Sequence, residues 1–245
     1  MICDLGSHDQ EGSLRKFLNR GAVRGLLLCG LPISDALAEE LAGGPSPCVL
    51  VGEQHPALDC WTWDDVSGAE RAVRHLIKQG HEHIAMIRSG EDSLSQLQRI
   101  TGYKSALTEA GLPVNDEWIV AGRPQYHGGF SEEDGQDAME TILEAFPDCT
   151  AVFCSSDVQA IGAMAALRGV GKRIPEDMAL VGYDDIKTSR FLGLSSVDQR
   201  MQAIGRAAAE CLYLKVSGTA PTKVQQTMIQ PELAIRRSSV NTVSR

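Results

Sequence analysis

Four short runs in this 245-residue sequence end in groups that can hold a polar ligand. CWTW (60–63) is followed by Asp64 and Asp65, and AVFC (151–154) by Ser155, Ser156 and Asp157. ALVG (179–182) is followed by Tyr183, Asp184 and Asp185, and Ser195-Ser196-Val197 by Asp198 and Gln199. In open parallel sheets ligands bind beyond the carboxyl ends of the strands, so these positions are where chemistry is expected. Carboxylates and amides take paired hydrogen bonds from adjacent hydroxyls, and an aromatic face can cover the apolar side of a sugar ring. The inventory suits a neutral polyol and suits an anionic phosphate poorly. Asp64, Asp65, Ser156 and Asp157 also stand where helix N-caps belong, and for any one of them that reading stays open.

Other chemistries find less support. Asp184 and Asp185 are adjacent, and adjacent side chains of extended backbone point to opposite sides, so no shared-proton acid–base pair is implied. His81 and His83 share one side of an extended segment but lack further ligands at metal-site spacing, which favours a turn-and-strand role. Gly169-Val170-Gly171-Lys172-Arg173 has the look of a phosphate loop but lacks the full G-x4-G-K-[ST] pattern and follows a helix, so it reads as a helix stop. No G-x-S-x-G elbow and no Cys/His nucleophile arrangement occurs. Neither catalysis, a metal nor a cofactor is expected.

The elements that must position these groups alternate short apolar runs with longer amphipathic segments, the pattern of a parallel sheet with helical crossovers. Strands are expected at 23–29, 48–52, 83–87, 118–121, 151–154 and 179–182, with two more at 224–230 and 233–236 around Pro231. Ser67 to Glu70 has capping-box spacing ahead of Val73, Leu76 and Ile77, with Gly80 as the stop. Apolar stripes predict further helices through Leu97, Ile100, Lys104 and Leu107, through Ala138, Ile142 and Ala145, through Ile161, Ala165 and Arg168, and over 201–216. Trp61 and Trp63 fit a core or a pocket wall equally.

Composition narrows the class. With 43% hydrophobic and 22% charged residues the chain is globular, and its net charge of -9 opposes attraction to phosphate backbones. The seven cysteines form an odd set without a CxxC pair and read as buried thiols of a reducing compartment. No run approaches the roughly 20 apolar residues of a membrane span, and MICDLGSHDQ lacks the basic and apolar regions of an export signal. A cytoplasmic protein without a membrane partner is expected.

In order and spacing, HLIKQGHEHIAMI, QRITGYKSALTEAGLP, AVFCSSDVQAIGAMAAL, IPEDMALVGYDD, SSVDQ and PELAIRRSS resemble the LacI/GalR family of bacterial transcription regulators, from Val23 to Ser239. The resemblance implies an α/β protein of two Rossmann-like lobes, mainly parallel sheets flanked by helices, of the periplasmic binding protein-like type I. It implies an effector in the inter-lobe cleft. Carried over, one lobe holds residues 1–79 and 200–227, the other 80–199 and 228–238, with a frayed tail at 239–245. The family's effector-binding positions fall on Arg99, Asp184 and Gln199, its pocket aromatic on Phe130, and its cleft-side stretch on Asp65 and Ser67. Where the family commonly has Asn-Asp, this chain has Ser156-Asp157, a smaller hydroxyl for a two-way amide.

The family begins with a helix-turn-helix, a hinge helix and a first strand–helix unit, and none of these is recognisable here; Met1 to Asp4 resembles the tail of the second strand. The implied function is effector sensing and dimerisation in a repressor: a small ligand, a sugar or derivative, is coupled to operator DNA through a head missing from this chain. A homodimer is implied, with helix 158–168 a candidate interface through its small residues Ala160, Gly162 and Ala163. These residues suit packing within one chain equally. The rival readings are an exported sugar-binding protein of a transporter and a sugar- or nucleotide-modifying α/β enzyme.

Overall fold

The computed structural model describes residues 10–18, 23–90, 92–122, 130–221 and 223–240. The chain forms two units, Met1–Trp63 with Arg200–Ile229, and Asp64–Gln199 with Gln230–Arg245. Both are α/β and mainly parallel, as expected.

The first unit holds helices α1 (Gln10–Leu18), α2 (Asp35–Gly43) and α8 (Met201–Val216) and a four-stranded parallel sheet of order β1-β2-β3-β9. Its strands are β1 (Leu26–Cys29), β2 (Cys48–Val51), β3 (Asp59–Trp63) and β9 (Gln226–Ile229). Leu37, Leu41, Leu50 and Leu14 fill one face; Val49, Trp61, Ile204 and Ala208 fill the other. Trp61 is buried in the core, and Trp63, partly buried, packs against the same cluster and over Gly52. Met1 to Asp4 lies outside the described residues.

The second unit carries a six-stranded sheet of order β10-β8-β7-β6-β4-β5, all parallel except β10 against β8. The strands are β4 (Ile84–Arg88), β5 (Ile119–Ala121), β6 (Ala151–Cys154), β7 (Ala179–Tyr183), β8 (Ser195–Asp198) and β10 (Glu232–Ala234). Strands β6 and β7 are buried along their whole length because helices cover both faces. Helices α3 (Asp65–Lys78) and α4 (Leu94–Glu109) lie on one face; α5 (Glu132–Ala145) and α6 (Asp157–Gly169) lie on the other, and α7 (Lys187–Leu192) joins β7 to β8. Each large apolar side chain withdrawn here, Phe153 and Ile87 among them, contributes about 1.5–3 kcal/mol of burial.

Several expectations need correction. The first crossing lies at Trp63/Asp64 rather than after residue 79, because α3 packs on α4 and on the second sheet. The N-cap of α3 lies three residues before the expected one: Asp64 Oδ1 accepts from Ser67 N at 2.9 Å, leaving Ser67 in the first turn. On α4 the inward face is Gln96, Arg99, Tyr103 and Ala106, while Leu97 of the expected stripe is 46% exposed. On α6 the expected stripe is the outward one: Ala165 and Arg168 are exposed and Ile161 partly so. Ala160, Gly162 and Ala163 are instead buried within the chain. A Cβ on Gly162 would fall 1.8 Å from the Glu132 carbonyl of α5, so this glycine lets two helices of one chain meet. Ser239 belongs to the core, not to a frayed tail; residues 241–245 lie outside the described residues.

Candidate functional site

Arg99 is the centre of a polar cluster at the carboxyl ends of the second sheet. It sits on α4, whose close approach to α3 depends on Gly102: a Cβ there would lie 2.2 Å from the Val66 carbonyl. The side chain is inside the protein, 6% exposed, with its guanidinium 3.8 Å above the Tyr183 ring. Nε donates to Asp65 Oδ1 at 2.9 Å, Nη1 donates to the Ser155 carbonyl at 2.5 Å, and Asp184 Oδ1 lies 3.9 Å from Nη1. Burial opposes the charge of Arg99, but Asp65 and Asp184 more than compensate and hold it protonated. Arg99 thereby fixes two carboxylates from two different elements.

Asp184 is the member of this cluster that reaches solvent, its side chain 31% exposed. Its backbone has φ +105° and that of Asp185 +47°, a region that non-glycine residues seldom occupy. The turn is held by its neighbours. Asp184 N donates to the Val197 carbonyl and Asp185 N to Ser196 Oγ, while the Asp185 carboxylate pairs with Arg236 at 2.7 Å and Arg190 at 3.5 Å. Asp157, buried, accepts from Ile186 N at 2.9 Å and from Ser189 Oγ and Ser196 Oγ, both at 2.6 Å. These bonds tie the turn to β8 and to the start of α6.

Burial shifts the two acids that face this turn. The Asp184 carboxyl is pushed up to about 7, by desolvation first and by Asp157 and Asp65, against the pull of Arg99. Asp157 is pushed up to about 6, again chiefly by desolvation, against the hydrogen bonds from Ser189, Ser196 and Ile186.

The candidate residues divide by role. Arg99, Asp65 and Asp184 meet as described. Ser156 is the N-cap of α6, accepting from Gln159 N at 3.2 Å, and Asp64 caps α3, so the cap reading holds for these two. Asp65 and Asp157 each bind side chains instead. Gln199 is buried at the end of β8, Ser67 is half-buried in the first turn of α3, and Phe130 is partly buried just ahead of α5. Phe130 makes no ring contact among the described residues.

Sequence reasoning missed Tyr183 as the platform under Arg99 and Gln96 as its neighbour on the same face. Gln96 Oε1 accepts from Ser89 N at 2.9 Å and Ser89 Oγ at 3.0 Å, and lies 2.9 Å from Ser155 Oγ. The available signal was Gln96-x-x-Arg99-x-x-x-Tyr103, three large polar residues at helical spacing. His81 and His83 bond to Thr150 Oγ1 and the Asp148 carbonyl, at 3.0 and 3.2 Å.

Comparison with known proteins decides the family. A model of the periplasmic binding protein-like domain matches residues 73–239. A solved LacI-family regulatory protein from Chloroflexus aggregans is 32% identical, with a TM-score of 0.79 over 96% of this chain and 84% of that one. The chain belongs to the LacI family of transcriptional regulators. A solved CelR–cellobiose complex agrees at 30% identity and TM-score 0.79, over 95% of this chain and 71% of the other. Among curated relatives, the regulator CelR of Thermobifida fusca is 33% identical over 88% of this chain and 63% of its own length. The repressor PurR of Haemophilus influenzae is 34% identical over 91% and 66%. This LacI-family chain thus spans about two thirds of the length of those relatives and corresponds to their effector-binding, periplasmic binding protein-like domain. Those relatives are transcriptional regulators, not enzymes. Among the described residues no helix is long and apolar enough to cross a membrane.

Proposed function

We propose that this chain senses a neutral polyhydroxylated effector, a sugar or sugar derivative, and passes its presence to a separate DNA-reading head of a cytoplasmic dimeric repressor. The observation that carries the reading is Asp184, a solvent-reaching carboxylate on a strained turn that Asp157, Asp185 and Arg99 hold in place. Asp184 accepts from ligand hydroxyls, with Gln199, Ser67, Ser156 and Phe130 as candidate lining and Arg99 and Asp65 as the frame. The cellobiose carried by the CelR complex makes a disaccharide the first probe. Coupling requires that the effector bind the operator-competent and operator-released states unequally.

The test is a thermal-shift screen with cellobiose and a panel of neutral sugars, repeated on Asp184→Asn. A ligand that binds only the native state raises Tm, and the variant should lose that rise. A well-folded protein that no neutral sugar stabilises, or a variant that responds unchanged, removes the sugar reading.

For dimerisation the support is an outward row on α6, Val158, Ile161 and Ala165, together with Phe191 on α7, which is 77% exposed. Sedimentation of Ile161→Glu and Phe191→Glu should report monomers where the parent chain is dimeric; unchanged sedimentation places the interface elsewhere.

A further inference from the structure

The far end of α6 holds a second polar site of opposite sign. The helix stops at Gly169-Val170-Gly171 as a turn with Gly171 at φ +75°, and the residues after it line a cavity of about 260 Å³. Its walls include Arg168, Lys172, Arg173 and Arg237, over a floor of Ile174 and Leu192. Arg173 is neutralised by Asp177, whose carboxylate it grips at 2.8 Å through Nε and Nη2. Arg168 and Lys172 make no salt bridge and no side-chain hydrogen bond among the described residues. Arg237 comes from the last segment of the chain. Its Nε and Nη2 donate to the Leu192 carbonyl at 3.3 and 3.1 Å, and its stem lies over Gly193, where a Cβ would fall 2.6 Å from Nε.

A cation in the last turn of a helix is ordinary, since it offsets the negative end of the helix dipole. That accounts for Arg168; Arg237, brought from a distant segment into the same cavity of a chain whose net charge is -9, commits Nε and Nη2 to the last carbonyl of α7 and presents Nη1 for a further acceptor. The Arg168 fork, the Lys172 ammonium and Nη1 of Arg237, around a partly apolar floor, match a phosphate group on a short carbon skeleton.

We propose that this cavity binds a small organic phosphate, independently of the effector site. The cavity is smaller than the roughly 300 Å³ at which drug-sized pockets begin, so a sugar monophosphate is near the upper limit of what it takes.

The test is calorimetric titration of the chain with glucose 6-phosphate, inorganic phosphate, citrate and glucose, at low and at physiological salt. Glucose 6-phosphate should bind more tightly than inorganic phosphate, weaken with salt, and lose affinity at least about tenfold in Arg168→Ala/Lys172→Ala. Asp184→Asn should leave that binding unchanged, which separates it from the effector reading. Absence of phosphate binding in a folded chain, equal binding by the double variant, loss in Asp184→Asn, or preference for citrate overturns the proposal. So does a double variant whose only change is weaker self-association, since the cavity would then serve an acidic side chain of a second copy.

Discussion

The two ends of α6 differ in how their charges are held. At its N-terminus Asp157 is buried and fully engaged, and with Asp184 and Asp65 it belongs to a carboxylate group balanced by Arg99. About 17 Å away along the helix, at about 1.5 Å per residue, Arg168 is exposed, and Lys172 follows half-buried just beyond the helix end. Both arrangements follow the helix dipole, acid at the start and base at the end. The buried end is rigid and hard to alter without unfolding; the exposed end is adjustable and sensitive to salt.

That contrast can be tested, beginning with its largest consequence. Arg99→Leu leaves Asp65 and Asp184 without their buried counter-charge and should destabilise by about 3–5 kcal/mol in denaturant titration. A loss as small as that of a surface substitution would show that the buried end is not organised by this arginine. Gly102→Val forces α3 and α4 apart and should cost about 1–3 kcal/mol or more, read from the urea midpoint; a neutral result would mean that the helices separate freely.

pH provides the next probe. Asp184 and Asp157 hold their protons more tightly folded than unfolded, so the stability they contribute is full below about pH 4. It is lost as pH rises through about 6 for Asp157 and about 7 for Asp184. The parent chain should therefore lose stability relative to Asp184→Asn between about pH 4 and 7 and level off above that, in melts run in parallel. Hydroxyls that donate to ionised Asp184 make sugar affinity rise with pH through about 7. A flat difference curve would place that proton elsewhere. The smallest effect belongs to the exposed end: Arg168→Ala should alter stability by no more than about 0.5 kcal/mol.

Much of the frame was legible along the chain. Continuous apolar runs identified β2, β4, β6 and β7, and the groups at the ends of β3, β6, β7 and β8 drew attention to Asp65, Asp157, Asp184 and Gln199 before any contact was known. Reading went astray where tertiary packing reversed the apparent face of a helix. On α6 the outward residues are Ile161 and Ala165, so hydrophobic periodicity pointed to the wrong side there, while on α4 it found the buried Leu107 and the packed Ile100 but passed over the inward Gln96 and Arg99.

Sequence by itself determined the parallel α/β class, the strand ends that carry polar groups, and the family, because these depend on local periodicity and on motif order. Only the tertiary structure decided which acid is a cap and which a partner, that Tyr183 lies beneath Arg99, and that Lys172 and Arg237 share one cavity. Those facts rest on contacts between segments far apart in the chain, 34 residues for Arg99 with Asp65 and 84 for Arg99 with Tyr183, where packing geometry, not local pattern, chooses the neighbour.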